Sequence, residues 1–416
     1  MPPPSASPPR AGEAVVPVAG GARQTMVDAL RAIALLGIVV VNVAAYRSGV
    51  APSLSAGGGA LGGTVDPLTV GLAALTEGRF YPLFSFLFGW GFAVQDARSR
   101  VRGRSVVGPW LRRSAVLLGL GVLHAVFFFD GDILVTYAIV GALLPLVRRV
   151  PTAWVAAVGG TMLVFQALFT AGLVALSVAA AGDPVEVRAD VRADMVADAE
   201  VYATGSFLDV ARHRAGDMVL NVPFGLLSVG GTVGGMMLLG VAAARLGWSD
   251  PRRWPPALRR AAVPAWVVGI LLSVPAVWLA GHGAVWPDDA GQAALSWLLY
   301  ALLGPAVALA WAAVVLRTGE VPALRRAYDA VAPAGRLSLT IYLSQSVVFS
   351  LVFNGYGLGL GTEVGLGVAV AMAVALWLVQ VVLARAWLHW FTMGPLEALA
   401  RAVAYLRWTP LRRRHC

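Results

Sequence analysis

A chain of 416 residues that is 58% hydrophobic and only 13% charged, with a mean hydropathy of +0.74, excludes a soluble enzyme. Its many apolar runs are about 20 residues long, the length that crosses a bilayer, so the chain reads as an integral membrane protein. The net charge of +10 comes from 32 arginines in short loops between those runs, an orientation signal that argues against nucleic acid, and the single cysteine, Cys416, excludes an intrachain disulfide and a thiolate metal site.

Residues 1–25, rich in Pro, Ala and Gly, predict a disordered cytoplasmic tail. The first span runs from about Val27 to Tyr46 and opens with Asp28 and Arg31. Asn42 follows Arg31 by about three helical turns, so the two share nearly one face about 16 Å apart. One reading makes Arg31 an anion contact and Asn42 a hydrogen-bonding group along one path; the other makes Arg31 an interfacial anchor paired with Asp28 and Asn42 a helix-packing group. From Leu68 to Gln95 the apolar pattern is interrupted by Glu77-Gly78-Arg79. That predicts a short surface or re-entrant piece and then a span from Phe80, with Glu77 and Arg79 either a buried pair lining a cavity or interfacial charges.

The stretch Arg112–Arg149 is the centre of the sequence: two apolar runs joined by Asp130-Gly131-Asp132 and bracketed by paired arginines. The first run carries His124 in a strongly apolar setting, where an ionisable ring needs a partner or a task. Asp130 and Asp132 lie about two turns on, close enough to orient the ring as a general base. The bland alternative is a packing histidine bonded to a carbonyl. No second histidine has metal-ligand spacing, so no metal is expected.

Span five covers roughly Ala153 to Ala180. The loop 182–216 repeats VRAD-VRAD with Arg188, Asp190, Arg192 and Asp194, a spacing that predicts an exposed helix. Span six, Met218 to Ala244, is rich in glycine, which permits close helix contact. Spans seven and eight flank Asp288 and Asp289. Span nine, Leu337 to Phe353, concentrates Tyr342, Ser344, Gln345 and Ser346, which either face a substrate or bond neighbouring helices; span ten ends near Leu388.

The expected architecture is therefore an all-α polytopic bundle of about ten transmembrane helices over residues 26–390, with 182–216 outside and a C-terminal cytoplasmic segment from 391 to 416. Ten spans put both termini on one side, which then holds 25 arginines against five on the other, so both termini are expected in the cytoplasm. His124 then lies about 8 Å below the outer surface, and Asn42 at a similar depth.

Five segments, VDALRAIALLGIVVVN (27–42), EGRFYPLFSFLFGWGFA (77–93), 117–144, GRLSLTIYLSQS (335–346) and MGPLEALARAVAY (393–405), resemble the YeiB-like family, whose C-terminal part is a domain of unknown function. That family is distantly similar to transmembrane acyltransferases, among them the acyltransferase type 3 group and heparan-α-glucosaminide N-acetyltransferase. The likeness lies in an acidic residue, a Leu-Arg-Gly triplet and a polar residue eleven after the Arg; Arg31 and Asn42 match, whereas the triplet here is Leu30-Arg31-Ala32. The N-acetyltransferase's catalytic histidine has no counterpart in 43–66, and His124 stands in for it on grounds of depth.

The expected function is a transmembrane acyltransferase. Cytoplasmic acyl-CoA, with acetyl-CoA as the first choice, would bind near Arg31 and the loop arginines. His124 would act as base, oriented by Asp132, with Asn42 at the oxyanion. Asp28, Glu77, Arg79, Asp130, Tyr342 and Gln345 complete the candidate binding residues. The acceptor would be an extracytoplasmic glycan, lipid headgroup or metabolite, and the setting the bacterial plasma membrane, with a homodimer left open. The rival reading is a transporter of a small polar metabolite.

Overall fold

The computed structural model describes residues 21–48, 67–282, 290–361, 363–408 and 410–412. The predicted tail over residues 1–20, the loop 49–66 and Asp288 and Asp289 lie outside the described residues. The described chain is all-α, and its one β-bridge, Phe391 to Arg412, is isolated.

The first helix, α1 (Gly21–Ser48), begins within the stretch expected to be tail. The Glu77-Gly78-Arg79 interruption separates a short α2 (Pro67–Thr76) from α3 (Phe80–Val101), as the sequence predicted. Gly78 makes the turn at φ +72°, a conformation costly for any residue with a Cβ. The central hairpin forms α4 (Val107–Phe127) and α5 (Leu134–Gly141), followed by a 3₁₀ helix, Leu144–Arg149. Pro145 explains why α5 is so short: it lacks an N–H and disfavours helix in the residue before it. The freed Gly141 carbonyl accepts from Trp110 Nε1 at 2.8 Å.

Next come α6 (Thr152–Ala180), the polar α7 (Pro184–Thr204) and the long α8 (Phe207–Arg245). After these follow α9 (Pro256–His282), α10 (Ala290–Thr318), α11 (Pro322–Arg336), α12 (Ser338–Phe353), α13 (Leu366–Trp390) and α14 (Pro395–Tyr405). Span nine is thus the second limb of a broken element, with α11 and α12 meeting at 77°.

Among the described residues, seven helices are long and apolar enough to cross a membrane, or eight if the bent pair α11–α12 counts as one span. The chain is a multi-pass helical membrane protein. Two of the ten expected spans do not qualify by that measure. Helix α3 ends in Asp96, Arg98 and Arg100, and α5 stops at eight residues.

Helix α1 is the most buried of the candidate spans and packs against α3, α11, α12 and α13. The glycines of span six act as predicted: a Cβ on Gly240 would come within 1.9 Å of the Phe86 carbonyl oxygen, so α3 and α8 touch backbone to backbone. A cluster of Val39, Val43, Tyr46, Phe129, Phe349 and Phe353 fills the other end of α1 from Asp28 and Arg31.

Candidate active site

Helix α4 ends by folding over His124: the amides of Phe128 and Phe129 both donate to its carbonyl at 2.9 Å. The turn that follows returns Asp132 to the imidazole, with Nδ1 and Oδ1 at 2.7 Å. The other carboxylate oxygen accepts from Val135 N at 2.8 Å and so holds the first turn of α5. Gly121, one turn before His124, makes room for this approach: a Cβ there would lie 2.8 Å from Val135 N and 3.0 Å from Asp132 Oδ2.

The side chains of His124 and Asp132 are 1% and 2% exposed. An ionised carboxylate only accepts, so in a neutral ring bonded to one the proton sits on Nδ1 and Nε2 is the basic nitrogen. Nε2 is buried without a hydrogen-bond partner. A buried histidine oriented by a carboxylate, with its second nitrogen free, is the arrangement of a general base.

On one side of this pair lies a cavity of about 1600 Å³. It is bordered by the starts of α1, α4, α6 and α12, the end of the 3₁₀ helix, and the ends of α3 and α8, so these elements alternate in direction through the bundle. Twelve arginines line it against three acids, Asp28, Asp96 and Glu397. Arg31 pairs with Asp28 at 2.6 Å and Arg100 with Asp96 at 2.7 Å. Other guanidiniums are held by neutral groups. Arg245 donates to the carbonyls of Val147 and Val150 and Arg112 to that of Ala404, while Arg113 lies over the rings of Phe88 and Trp110. Carbonyls and rings fix these cations without neutralising them, so the cavity is a strong anion trap. Glu397 is spent elsewhere, accepting from the amides of Leu339 and Thr340 at the start of α12. The cavity extends to Leu117, Ile133, Tyr137 and Tyr342, and the Tyr342 ring sits 5.0 Å from that of His124.

On the other side of the pair is a small pocket of about 80 Å³, lined among others by Asp130, Asp132, Ile133, Thr136, Arg214 and Asn221. Ile133 borders both spaces, Asp132 lines the small one, and His124 lines neither. Arg214 lies in the stretch 182–216, whose charge spacing predicts an exposed helix. This residue is 2% exposed, donates to the Phe127 carbonyl at 3.2 Å and lies over the Tyr202 ring at 5.0 Å. Burial pushes the Tyr202 phenol above its ordinary range, so it meets Arg214 as a neutral ring. A signal for Arg214 was present: Val210, Ala211 and Arg214 fall at i, i+1 and i+4, one helical face, and all three are buried.

The remaining candidates separate. Asp28 and Arg31 border the large cavity, and Asp130 the small one. Asn42 is half-buried on α1, lines neither space and makes no side-chain hydrogen bond among the described residues. Gln345 bonds Gln380 on α13 at 2.9 Å, and Gln380 in turn bonds Ser344 at 3.0 Å, so this polar group joins two helices. Glu77 and Arg79 are buried at the α2–α3 turn, where Arg79 donates to the Ala73 carbonyl and neither residue lines either of these two spaces. Among the described residues no group of three His, Cys, Asp or Glu side chains is placed to hold a metal.

Comparison with known proteins matches residues 243–407 to a family described as "Protein of unknown function (DUF418)". The chain is similar to the uncharacterized protein YeiB of Escherichia coli K12, with 29% identity over 91% of this chain and 95% of that one. It is also similar to the uncharacterized protein YxaH of Bacillus subtilis 168, with 28% identity over 79% of this chain and 80% of the relative. An uncharacterized 39.9 kDa protein in the amylase 3' region of Bacillus acidopullulyticus is 26% identical over 95% of this chain and 97% of its own. No solved structure matches. His124, Asp132 and Arg214 all precede the segment that the family model covers.

Proposed function

We propose that this chain, which matches the DUF418 family model over residues 243–407 and is similar to YeiB over most of its length, is a transmembrane acyltransferase, moving an acyl group from cytoplasmic acyl-CoA to an amine or hydroxyl on the far side of the bacterial plasma membrane. The observation that carries this reading is a buried His–Asp pair with an unpartnered Nε2, whose ring lies 5.0 Å from Tyr342 of the arginine-lined cavity and whose carboxylate lines a second, smaller pocket.

The positive-inside rule puts the arginine-lined cavity on the cytoplasmic side, and both termini with it. Its cations suit the phosphates and diphosphate of coenzyme A, and its volume accommodates a molecule of that size. The acyl thioester would extend past Leu117 and Tyr342 toward His124. His124 Nε2 takes the proton from the acceptor O–H or N–H as that atom attacks the thioester carbonyl. The tetrahedral intermediate then collapses, the C–S bond breaks, and the imidazolium returns the proton to the departing thiolate. Asp132 stabilises the imidazolium across the 2.7 Å contact.

Protein in nanodiscs supplied with labelled acetyl-CoA tests the reading. Acceptor-dependent transfer is expected in wild type and at least a hundredfold less in His124→Ala; equal transfer by both sinks the catalytic assignment. A second reading, transport of a small polar metabolite, is favoured by the break of 77° between α11 and α12, because discontinuous helices often build substrate sites in transporters. Flux through proteoliposomes in the absence of any acyl donor would favour it.

A further inference from the structure

Buried polar atoms without partners are few in folded proteins, and each calls for an explanation. Among the eleven such side-chain atoms of the described residues, two lie on either side of the α4–α5 turn: His124 Nε2 and Arg214 Nε. They are neighbours through the α4–α5 turn: Arg214 holds the Phe127 carbonyl, and Phe129 stacks on Tyr46 at 4.6 Å and meets His124 at 6.2 Å. Tyr202 lies beneath the Arg214 guanidinium.

Arg214 is the most costly member. A buried guanidinium is normally matched by a carboxylate or phosphate. Among the described residues no carboxylate is within ion-pair distance of Arg214; the Phe127 carbonyl and the Tyr202 phenol are its near partners, and Asp130 acts on it at longer range. The same cation shares the small pocket with Asp132, the carboxylate that orients His124, and with Asp130. Cation and carboxylates thus face one space, and one of those carboxylates, Asp132, is bonded to the proposed base. At roughly 10–15 Å³ of such volume per water, a pocket of about 80 Å³ holds a small headgroup and no sugar chain.

We infer that the outer pocket recognises an acceptor bearing a carboxylate or phosphate a few bonds from its amine or hydroxyl, the anion held by Arg214 and the nucleophile delivered beside Asp132 to His124. This deepens the acyltransferase reading and rests on it for the role of the nucleophile. The recognition itself does not depend on any transfer. The shared chemistry is a small zwitterion or amino alcohol phosphate, from a lipid headgroup or from a soluble metabolite.

Amide hydrogen exchange on the full chain in phosphatidylcholine nanodiscs reads binding locally, so the arginine-lined cavity reports separately through residues 98–113. The probes are O-phosphoethanolamine and its anion-free counterpart, ethanolamine. At ten times its Kd, O-phosphoethanolamine is expected to slow exchange about tenfold in residues 127–136 and 207–222, and ethanolamine to leave it unchanged. Arg214→Gln is expected to abolish the effect and Arg214→Lys to restore part of it. A second arm uses phosphatidylethanolamine nanodiscs without free probe. Protection there assigns the acceptor to the lipid, and protection only by the free probe assigns it to a soluble compound. Equal protection by both probes, protection confined to residues 98–113, or protection surviving in Arg214→Gln overturns the inference. Because this readout needs no acyl donor, its failure is distinct from a failure of labelled acetyl-CoA to transfer.

Discussion

Asp132→Asn keeps the shape of the side chain and removes its charge. The native carboxylate serves two donors, His124 Nδ1–H at 2.7 Å and Val135 N–H at 2.8 Å. The amide has one acceptor oxygen and cannot serve both. If that oxygen keeps Val135, the amide NH₂ points at Nδ1, which must then be the unprotonated nitrogen; the proton moves to Nε2 and the base is blocked. If the oxygen keeps His124, NH₂ confronts a buried N–H, at a cost of about 1–3 kcal/mol. In either orientation the imidazolium formed during transfer loses a charge-assisted bond worth about 1.5–3 kcal/mol, roughly a 10- to 150-fold change in rate. Trapping the wrong tautomer raises the loss toward about 10⁴-fold. Asp132→Asn is therefore expected to transfer labelled acetyl groups about 10²- to 10⁴-fold more slowly than wild type in single-turnover assays, with the melting temperature in detergent lowered by a few degrees at most. A rate within about threefold of wild type and an unaltered pH–rate profile would refute the base-orienting role of Asp132.

Gly121→Ala is expected to slow transfer about tenfold or more, since its Cβ would lie 2.8 Å from Val135 N and 3.0 Å from Asp132 Oδ2 and displace the carboxylate; unchanged single-turnover rates would show that the hairpin has slack. Arg113→Gln and Arg31→Gln should each raise the KM for acyl-CoA about 5- to 20-fold with kcat nearly unchanged, and weaken its salt dependence; equal KM values would remove the cavity from donor binding. Gly240→Val is expected to prevent accumulation of folded protein, because a Cβ already meets the Phe86 carbonyl oxygen at 1.9 Å; size-exclusion recovery at wild-type yield would contradict the backbone contact. Gln345→Leu should cost about 0.6 kcal/mol of stability through the lost bond to Gln380 and leave transfer intact, as read by melting temperature and acetyl transfer.

The sequence disclosed most of the helices because apolar runs and arginine loops are strong local signals. It disclosed His124 and Asp132 for the same reason, since an imidazole in a run such as LLGLGVLHAVFFF is conspicuous and an acidic turn follows it. What it carried only faintly, or not at all, depends on three-dimensional company. Arg214 sits among Arg212, His213 and Asp217, and only the burial of its helix face distinguishes it from the exposed Arg212 next to it. Gln345 had the profile of a site residue, but its partner Gln380 lies on another helix and satisfies it. The length of α5 was misjudged because hydropathy does not register that Pro145 ends an α-helix, while the clash of charge with span length at Asp96, Arg98 and Arg100 was visible in the sequence and outweighed by the apolar residues before it.

The partition between the two spaces bears on the choice between transfer and transport. Tyr342 lines the arginine-lined cavity, and its ring lies 5.0 Å from that of His124. Turning one ring off its rotamer costs about 0.5–1.5 kcal/mol, an amount that binding a polyphosphate among a dozen arginines can supply. Passing a whole solute into the outer pocket asks for more. Ile133 and Asp132 belong to the turn that Val135 N and His124 hold together, so a through-path breaks a buried charge-assisted pair and separates α4 from α5. A buried pair of this kind costs several kcal/mol to open once its partners lose each other. On the proposed reading, an acyl chain ending in a carbonyl would approach Nε2 by the first movement alone, while coenzyme A would stay among the arginines. The geometry is therefore more economical for passing a small group across the partition than for passing its carrier, and the break between α11 and α12, whose amides Glu397 already satisfies, is better explained as the support on which Tyr342 is mounted.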